Sequence, residues 1–181
     1  MSAAYCSVRF LARACLITAC AAHSAFAVDG VAAGLGVGFR DTDAEVTQVG
    51  LRWNWQTILG GDSRGDNVPY WEADLAHVRA REGGKDASLN MVGLTVILRH
   101  AVGARVYMEA GLGVRLLSQT HLATKDLSTT FQFSPTLGAG LRFGARRQWE
   151  VGYRLLHVSN ANIRTPNPGM NFNVLRLGYR F

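Results

Sequence analysis

Residues 104–116 read ARVYMEAGLGVRL. Val106, Met108, Ala110, Leu112, Val114 and Leu116 share one parity, and Arg105, Tyr107, Glu109, Gly111, Gly113 and Arg115 share the other. A period of two gives a strand one apolar and one polar face, whereas a helix would repeat every three to four residues. The same pattern recurs along the chain. In 31–39, Val31, Ala33, Leu35, Val37 and Phe39 alternate with Ala32 and three glycines; in 47–55, Thr47, Val49, Leu51, Trp53 and Trp55 alternate with Gln48, Gly50, Arg52 and Asn54. Weaker versions cover 70–80 and 89–99, and strong ones 131–143, 149–159 and 174–181. The spacing predicts eight strands.

The chain has 181 residues, 48% of them hydrophobic, with 20 glycines and only 4 prolines, which fits one ordered domain rather than a disordered chain. Its net charge of +6 comes from 19 basic residues, of which only Lys85 and Lys125 are lysines. The longest basic run is Arg146-Arg147, so no patch suited to a nucleic acid is expected.

Residues 1–27 read as a cleaved signal peptide. Arg9 and Arg13 precede an apolar stretch over 14–22, and Ala25-Phe26-Ala27 matches a small-x-small cleavage site. Ile17-Thr18-Ala19-Cys20 offers a rival lipoprotein signal, although the apolar stretch before Cys20 is short. The mature chain then spans 28–181. All three cysteines (Cys6, Cys15, Cys20) leave with the signal, and the remaining 17 basic and 13 acidic residues give +4. Disulfides and cysteine metal sites are thereby excluded from the mature chain, and no metal-ligand spacing, P-loop or dinucleotide fingerprint occurs, so no metal or cofactor is expected.

A soluble β-sandwich also alternates. A transmembrane barrel explains more: strands of about ten residues cross a bilayer when tilted. Arginines on the polar parity can pair with Glu72, Asp74, Glu109 and Glu150 in a narrow polar interior. The last alternating strand ends on an aromatic residue, Phe181. The reading is therefore all-β: an eight-stranded antiparallel transmembrane β-barrel in the bacterial outer membrane, with both termini periplasmic and the loop after strand seven outside. Such a barrel is compatible with a homodimer, and nothing in the sequence specifies one.

One cluster breaks the pattern. Counting by twos from Trp149, Val151, Tyr153 and Leu155, the next outward positions are His157 and Ser159; counting back from Phe181, outward parity falls on Asn173 and Asn171. Strands leaving a membrane commonly carry polar residues, and turn chemistry suits the Asn- and Pro-rich loop 160–169. A Ser–His pair is also what nucleophilic catalysis requires, provided a third group orients the histidine.

HVSNANIRTPNPGMN (157–171) resembles the signature of the lipid A 3-O-deacylase family, PagL: His-x-Ser-Asn, then an Asn- and Gly-containing loop before the last strand. The resemblance extends to the signal, the barrel pattern and the terminal aromatic. It implies an outer-membrane esterase that removes the 3-O-linked 3-hydroxyacyl chain of lipid A, with lipopolysaccharide in the outer leaflet as its partner. Ser159 would be the nucleophile, His157 the general base, and Asn160 a contributor to the oxyanion hole. Two departures stand out. The family's third member is acidic, and the matching position here is Asn171; the family tends to have Gly where this chain has Asn162. The alternative is a non-catalytic structural or adhesive barrel that lost activity with the acidic residue. His77 has outward parity without a serine or carboxylate at useful spacing, and His121, Lys125 and Arg164 lie in loops where they could touch lipid phosphates or be simply solvated.

Overall fold

The computed structural model describes residues 28–40, 42–55, 67–82 and 85–181; the expected signal peptide, 1–27, lies outside the described residues. Eight antiparallel strands form the wall: β1 (Gly30–Gly38), β2 (Ala44–Asn54), β3 (Asn67–Glu82), β4 (Lys85–Ala101), β5 (Val106–Leu117), β6 in two pieces (Phe131–Phe133 and Thr136–Phe143), β7 (Trp149–Val158) and β8 (Met170–Arg180). Each pairs with its sequence neighbours, and β8 pairs with β1 from Gly30↔Arg180 to Gly38↔Phe172, which closes the barrel. Closure leaves no unpaired edge, the condition for β structure in lipid. Pairing of Gly30 with Arg180 also puts both ends of the barrel wall at one end.

The break in β6 has a local cause. Pro135 has no N–H to give the ladder. Ser134 still exchanges both main-chain bonds with Gly113, and the carbonyl of Pro135 accepts from the His157 N–H at 3.1 Å. The two longest strands are β3 with 16 residues and β4 with 17, and their hairpin projects past its neighbours at the end carrying the long loops.

Outward parity falls where the sequence places it. Leu35, Leu75, Leu112 and Leu175 are each more than half exposed, while their strand neighbours point inward. At the opposite end from the long loops, Phe143, Trp149, Tyr179 and Phe181 form a chain of ring contacts with centroids 4.7–6.5 Å apart. Aromatic rings with an apolar body and a polar edge suit the interface between hydrocarbon and water.

The interior differs from the uniformly polar one expected. Its lower part holds the predicted ion pairs. Glu72 accepts from Arg52, Arg154 and Arg176 at 3.2, 2.7 and 2.6 Å, and Glu109 accepts from Arg99, Arg154 and the Tyr70 hydroxyl. Glu150 takes Arg52 and Arg99, and Asp74 holds Arg115 through both guanidinium Nη atoms. Inward glycines make room: a Cβ on Gly93 would lie 2.7 Å from the Asp74 carboxylate and 2.8 Å from the Arg115 guanidinium. Towards the long loops, however, the interior is apolar. Val46, Val78, Leu89, Met91, Leu127, Leu156, Val158, Met170 and Phe172 are buried there as one cluster. In these segments the alternation is inverted: the inward residues are apolar and pack as a plug, while outward neighbours such as Glu45, His77, Arg79, Asn90 and His157 are polar.

Candidate active site

Register alone brings the polar cluster together. His157 on β7 stands directly opposite Asn171 on β8, and a single register runs unbroken from Trp149↔Tyr179 to Val158↔Met170, so no bulge disturbs the parity. Main-chain bonds of His157 go to β6 and those of Asn171 to the β1 side, so the two form a non-hydrogen-bonded antiparallel pair. Such pairs hold their side chains closest, with Cα atoms about 4.5 Å apart. Ser159, just past the end of β7, is anchored by a bridge to Phe133: its N–H donates at 3.1 Å and its carbonyl accepts at 2.7 Å.

The side chains complete a relay. His157 Nδ1 lies 2.8 Å from Asn171 Oδ1, and His157 Nε2 lies 2.9 Å from Ser159 Oγ. An amide oxygen only accepts, so Nδ1 carries the hydrogen and Nε2 presents its lone pair to the serine hydroxyl. Asn173, the fourth outward polar residue, accepts from the Tyr153 hydroxyl at 2.5 Å. Below the relay, Leu98, Met108, Ala110, Leu137, Ala139 and Leu155 line an apolar groove of about 390 Å³ on the outer wall.

The loop between β7 and β8 is stapled by asparagines. Asn160 is fully buried; its Nδ2 donates to the carbonyls of Leu127 and Arg164 at 3.2 and 2.8 Å, and its main-chain N–H donates to Asn167 Oδ1 at 3.1 Å. The structure thus brings Ser159, His157 and Asn171 together but commits the Asn160 amide to the barrel interior, away from the serine hydroxyl. The parity change explains this: Asn160 is the inward neighbour of outward Ser159. Ala161 and Asn162 both take left-handed backbone, φ 52° and 62°, in a turn closed by the Ile163 N–H to the Asn160 carbonyl. Asparagine tolerates that conformation better than most residues, so its presence in place of glycine leaves the turn intact.

Gly169 borders the histidine ring. Its φ is 62°, and a Cβ there would lie 3.0 Å from His157 Cε1 and 3.5 Å from Ser159 Cβ. Gly169→Ala is expected to lower kcat about 10-fold, since left-handed strain of about 1–2 kcal/mol and ring displacement act together. Steady-state kinetics beside a heat-modifiable gel shift would separate this from misfolding.

Other candidates lie apart from the relay. His77 bonds to Asn90 Oδ1 at 2.7 Å and accepts from Arg79 Nε at 3.3 Å on the β3–β4 wall. His121 is 3.8 Å from Asp126 in the loop after β5, Lys125 pairs across the same small hairpin with Leu122, and Arg164 is exposed. Thr42 went unnoticed in the sequence: its hydroxyl accepts the Asn171 N–H at 3.1 Å across 129 residues, a proximity that exists only once β1 closes on β8.

A closed barrel with an apolar outer wall, and a serine–histidine–asparagine relay where that wall meets the outer loops, defines a membrane β-barrel with a lipid-facing site. Residues 46–180 match the family described as lipid A 3-O-deacylase (PagL). The chain is 30% identical over 124 residues to the lipid A deacylase PagL of Pseudomonas aeruginosa, covering 68% of this chain and 70% of that protein. It is 31% identical over 133 residues to the lipid A deacylase PagL of Bordetella bronchiseptica, covering 70% of each. A crystal structure of the outer membrane enzyme PagL superposes with a TM-score of 0.66 at 25% identity, over 84% of this chain and 99% of that one. The chain belongs to the lipid A 3-O-deacylase (PagL) family. It is an outer-membrane enzyme, a deacylase of the carboxylic ester hydrolase class.

Proposed function

We propose that this chain hydrolyses the 3-O-linked 3-hydroxyacyl ester of lipid A in the outer leaflet, with Ser159 as nucleophile, His157 as general base and Asn171 as the group that orients the histidine. The relay from Ser159 Oγ through both ring nitrogens of His157 to Asn171 Oδ1, at 2.9 and 2.8 Å, is the observation that carries this reading. A serine hydroxyl attacks an ester only when its proton has somewhere to go, and Nε2 is placed to take it.

In the first half-reaction Oγ attacks the ester carbonyl carbon while its proton passes to Nε2. The tetrahedral intermediate collapses, the C–O bond to the sugar breaks, and the departing 3-hydroxyl oxygen takes the proton from Nε2. In the second, water attacks the acyl-Ser159 ester, giving its proton to His157, and the 3-hydroxy fatty acid leaves as the serine is restored. The outward face suits a substrate that is itself a membrane lipid, and the apolar groove below Leu155 suits its acyl chains. Asn160 supports the oxyanion hole from beneath: it holds the turn at 161–162, whose main-chain N–H groups follow the nucleophile, in the manner of an oxyanion site built on backbone donors.

Asn171 keeps the histidine in the productive tautomer but supplies no negative charge to the imidazolium that forms. In serine proteases the acid-to-amide change costs about 10⁴ in kcat, much of it through the wrong tautomer. Here only the charge is missing, so Asn171→Glu is expected to raise kcat by about 10-fold or more, and Asn171→Ala to lower it about 10-fold through the lost hydrogen bond. Release of 3-hydroxy fatty acid from purified lipid A by the refolded protein, followed by mass spectrometry, checks both. Equal rates for Asn171, Ala and Glu forms would remove Asn171 from the mechanism.

A further inference from the structure

The asparagine of the relay is held in place from the other end of the chain. Gly38 ends β1 opposite Phe172, and the next residue, Phe39, still donates its N–H to the Asn171 carbonyl at 3.1 Å. A continuing ladder would return a bond from the Asn171 N–H to the Phe39 carbonyl. Instead Arg40 takes a left-handed φ of 57°, the chain turns away from β8, and the hydroxyl of Thr42 accepts the Asn171 N–H at 3.1 Å. Thr42 is buried, at 4% exposure, and packs on the bare Cα of Gly38: a Cβ there would lie 2.7 Å from Thr42 Cγ2 and still closer to the Thr42 carbonyl oxygen.

We infer that Thr42 is a positioning residue for the hydrolytic site, acting through Asn171. The inference rests on the Ser159–His157–Asn171 reading. On the β7 side Asn171 has no main-chain bond to fix it, because it stands in a non-hydrogen-bonded pair with His157. Both of its own main-chain groups are instead bonded on the β1 side, the carbonyl accepting from Phe39 and the N–H donating to Thr42. The Asn171 side chain must hold its oxygen 2.8 Å from His157 Nδ1, so slack at the first turn of β8 passes directly to the imidazole. Loss of alignment of this kind lowers turnover without weakening substrate binding, because the hydrogen bonds at issue tighten as charge develops on the histidine.

The test is steady-state kinetics of the full-length protein refolded in detergent, on purified lipid A, for Thr42→Val, Thr42→Ala and Thr42→Ser. Folding is checked by heat-modifiable migration. Valine and alanine, which lack the acceptor, are expected to lower kcat about 5- to 10-fold at unchanged KM, the effect of about one lost hydrogen bond. Serine keeps Oγ and should retain at least half of the parent rate. In an Asn171→Ala background the Thr42→Val change should cost less than about 2-fold, since the group it positions is gone. A parent-like kcat for folded Thr42→Val overturns the inference, as does an undiminished loss in the Asn171→Ala background. Full activity of Ser159→Ala would instead overturn the underlying relay, which keeps the two failures distinct.

Discussion

Ser159→Ala is expected to abolish acyl release, by at least about 10³-fold and as much as about 10⁶-fold in kcat, while leaving the barrel folded. Ser159 lies past the end of β7, its main chain fixed by both bonds of the Phe133 bridge, so removing Oγ touches no backbone contact. His157→Ala should cost about as much, because the two act as a unit: without a proton acceptor the hydroxyl is a poor nucleophile, and without the hydroxyl the imidazole has nothing to deprotonate. The double variant should therefore be no slower than either single one. Additive losses would indicate two independent roles and would contradict a shared relay. Fatty-acid release from lipid A, with the folded state checked by gel migration, measures all three.

Glu72→Ala carries the largest expected effect on stability. The carboxylate is almost fully buried and accepts from Arg52, Arg154 and Arg176, so its loss leaves three guanidinium groups inside the barrel with a deficit of negative charge. Breaking a buried ionic cluster by removing one partner costs about 3–5 kcal/mol, chiefly through the charge left unpaired. Leu75, three residues further along β3, is 59% exposed on the lipid-facing parity, and Leu75→Ala should cost under about 1 kcal/mol. Urea unfolding in lipid vesicles compares them. Restoring balance in Glu72→Ala/Arg176→Ala should recover part of the loss, and failure of that double variant to improve on Glu72→Ala would mean that packing, not charge, dominates.

Much of this was legible in the sequence because membrane barrels encode orientation at every second residue. Period-two alternation placed all eight strands, the parity of β7 and β8 put His157, Ser159, Asn171 and Asn173 outside, and Arg and Glu on inward positions announced the ion pairs of the lower interior. What alternation hides is anything that needs closure or a change of environment along one strand. Reading the inward parity as polar along its whole length misses the apolar plug around Val46, Met91, Val158 and Phe172, where the outward neighbours Glu45, Asn90, His157 and Asn171 are the polar ones. Thr42 reaches Asn171 only after β1 pairs with β8, and no local motif marks it. The family resemblance assigns Asn160 to the oxyanion hole, and alternation applied one residue past Ser159 points its side chain into the barrel.

On the proposed reading this barrel removes the 3-O-linked acyl chain from lipid A in the membrane where it resides. Mass spectrometry of lipid A from a bacterial host expressing the chain, beside a host expressing Ser159→Ala, tests it most directly. Lipid A from the first host is expected to lose the mass of one 3-hydroxyacyl group, while the Ser159→Ala host keeps its lipid A intact. Unchanged lipid A in both, with the folded barrel present in the outer membrane of each, would contradict it.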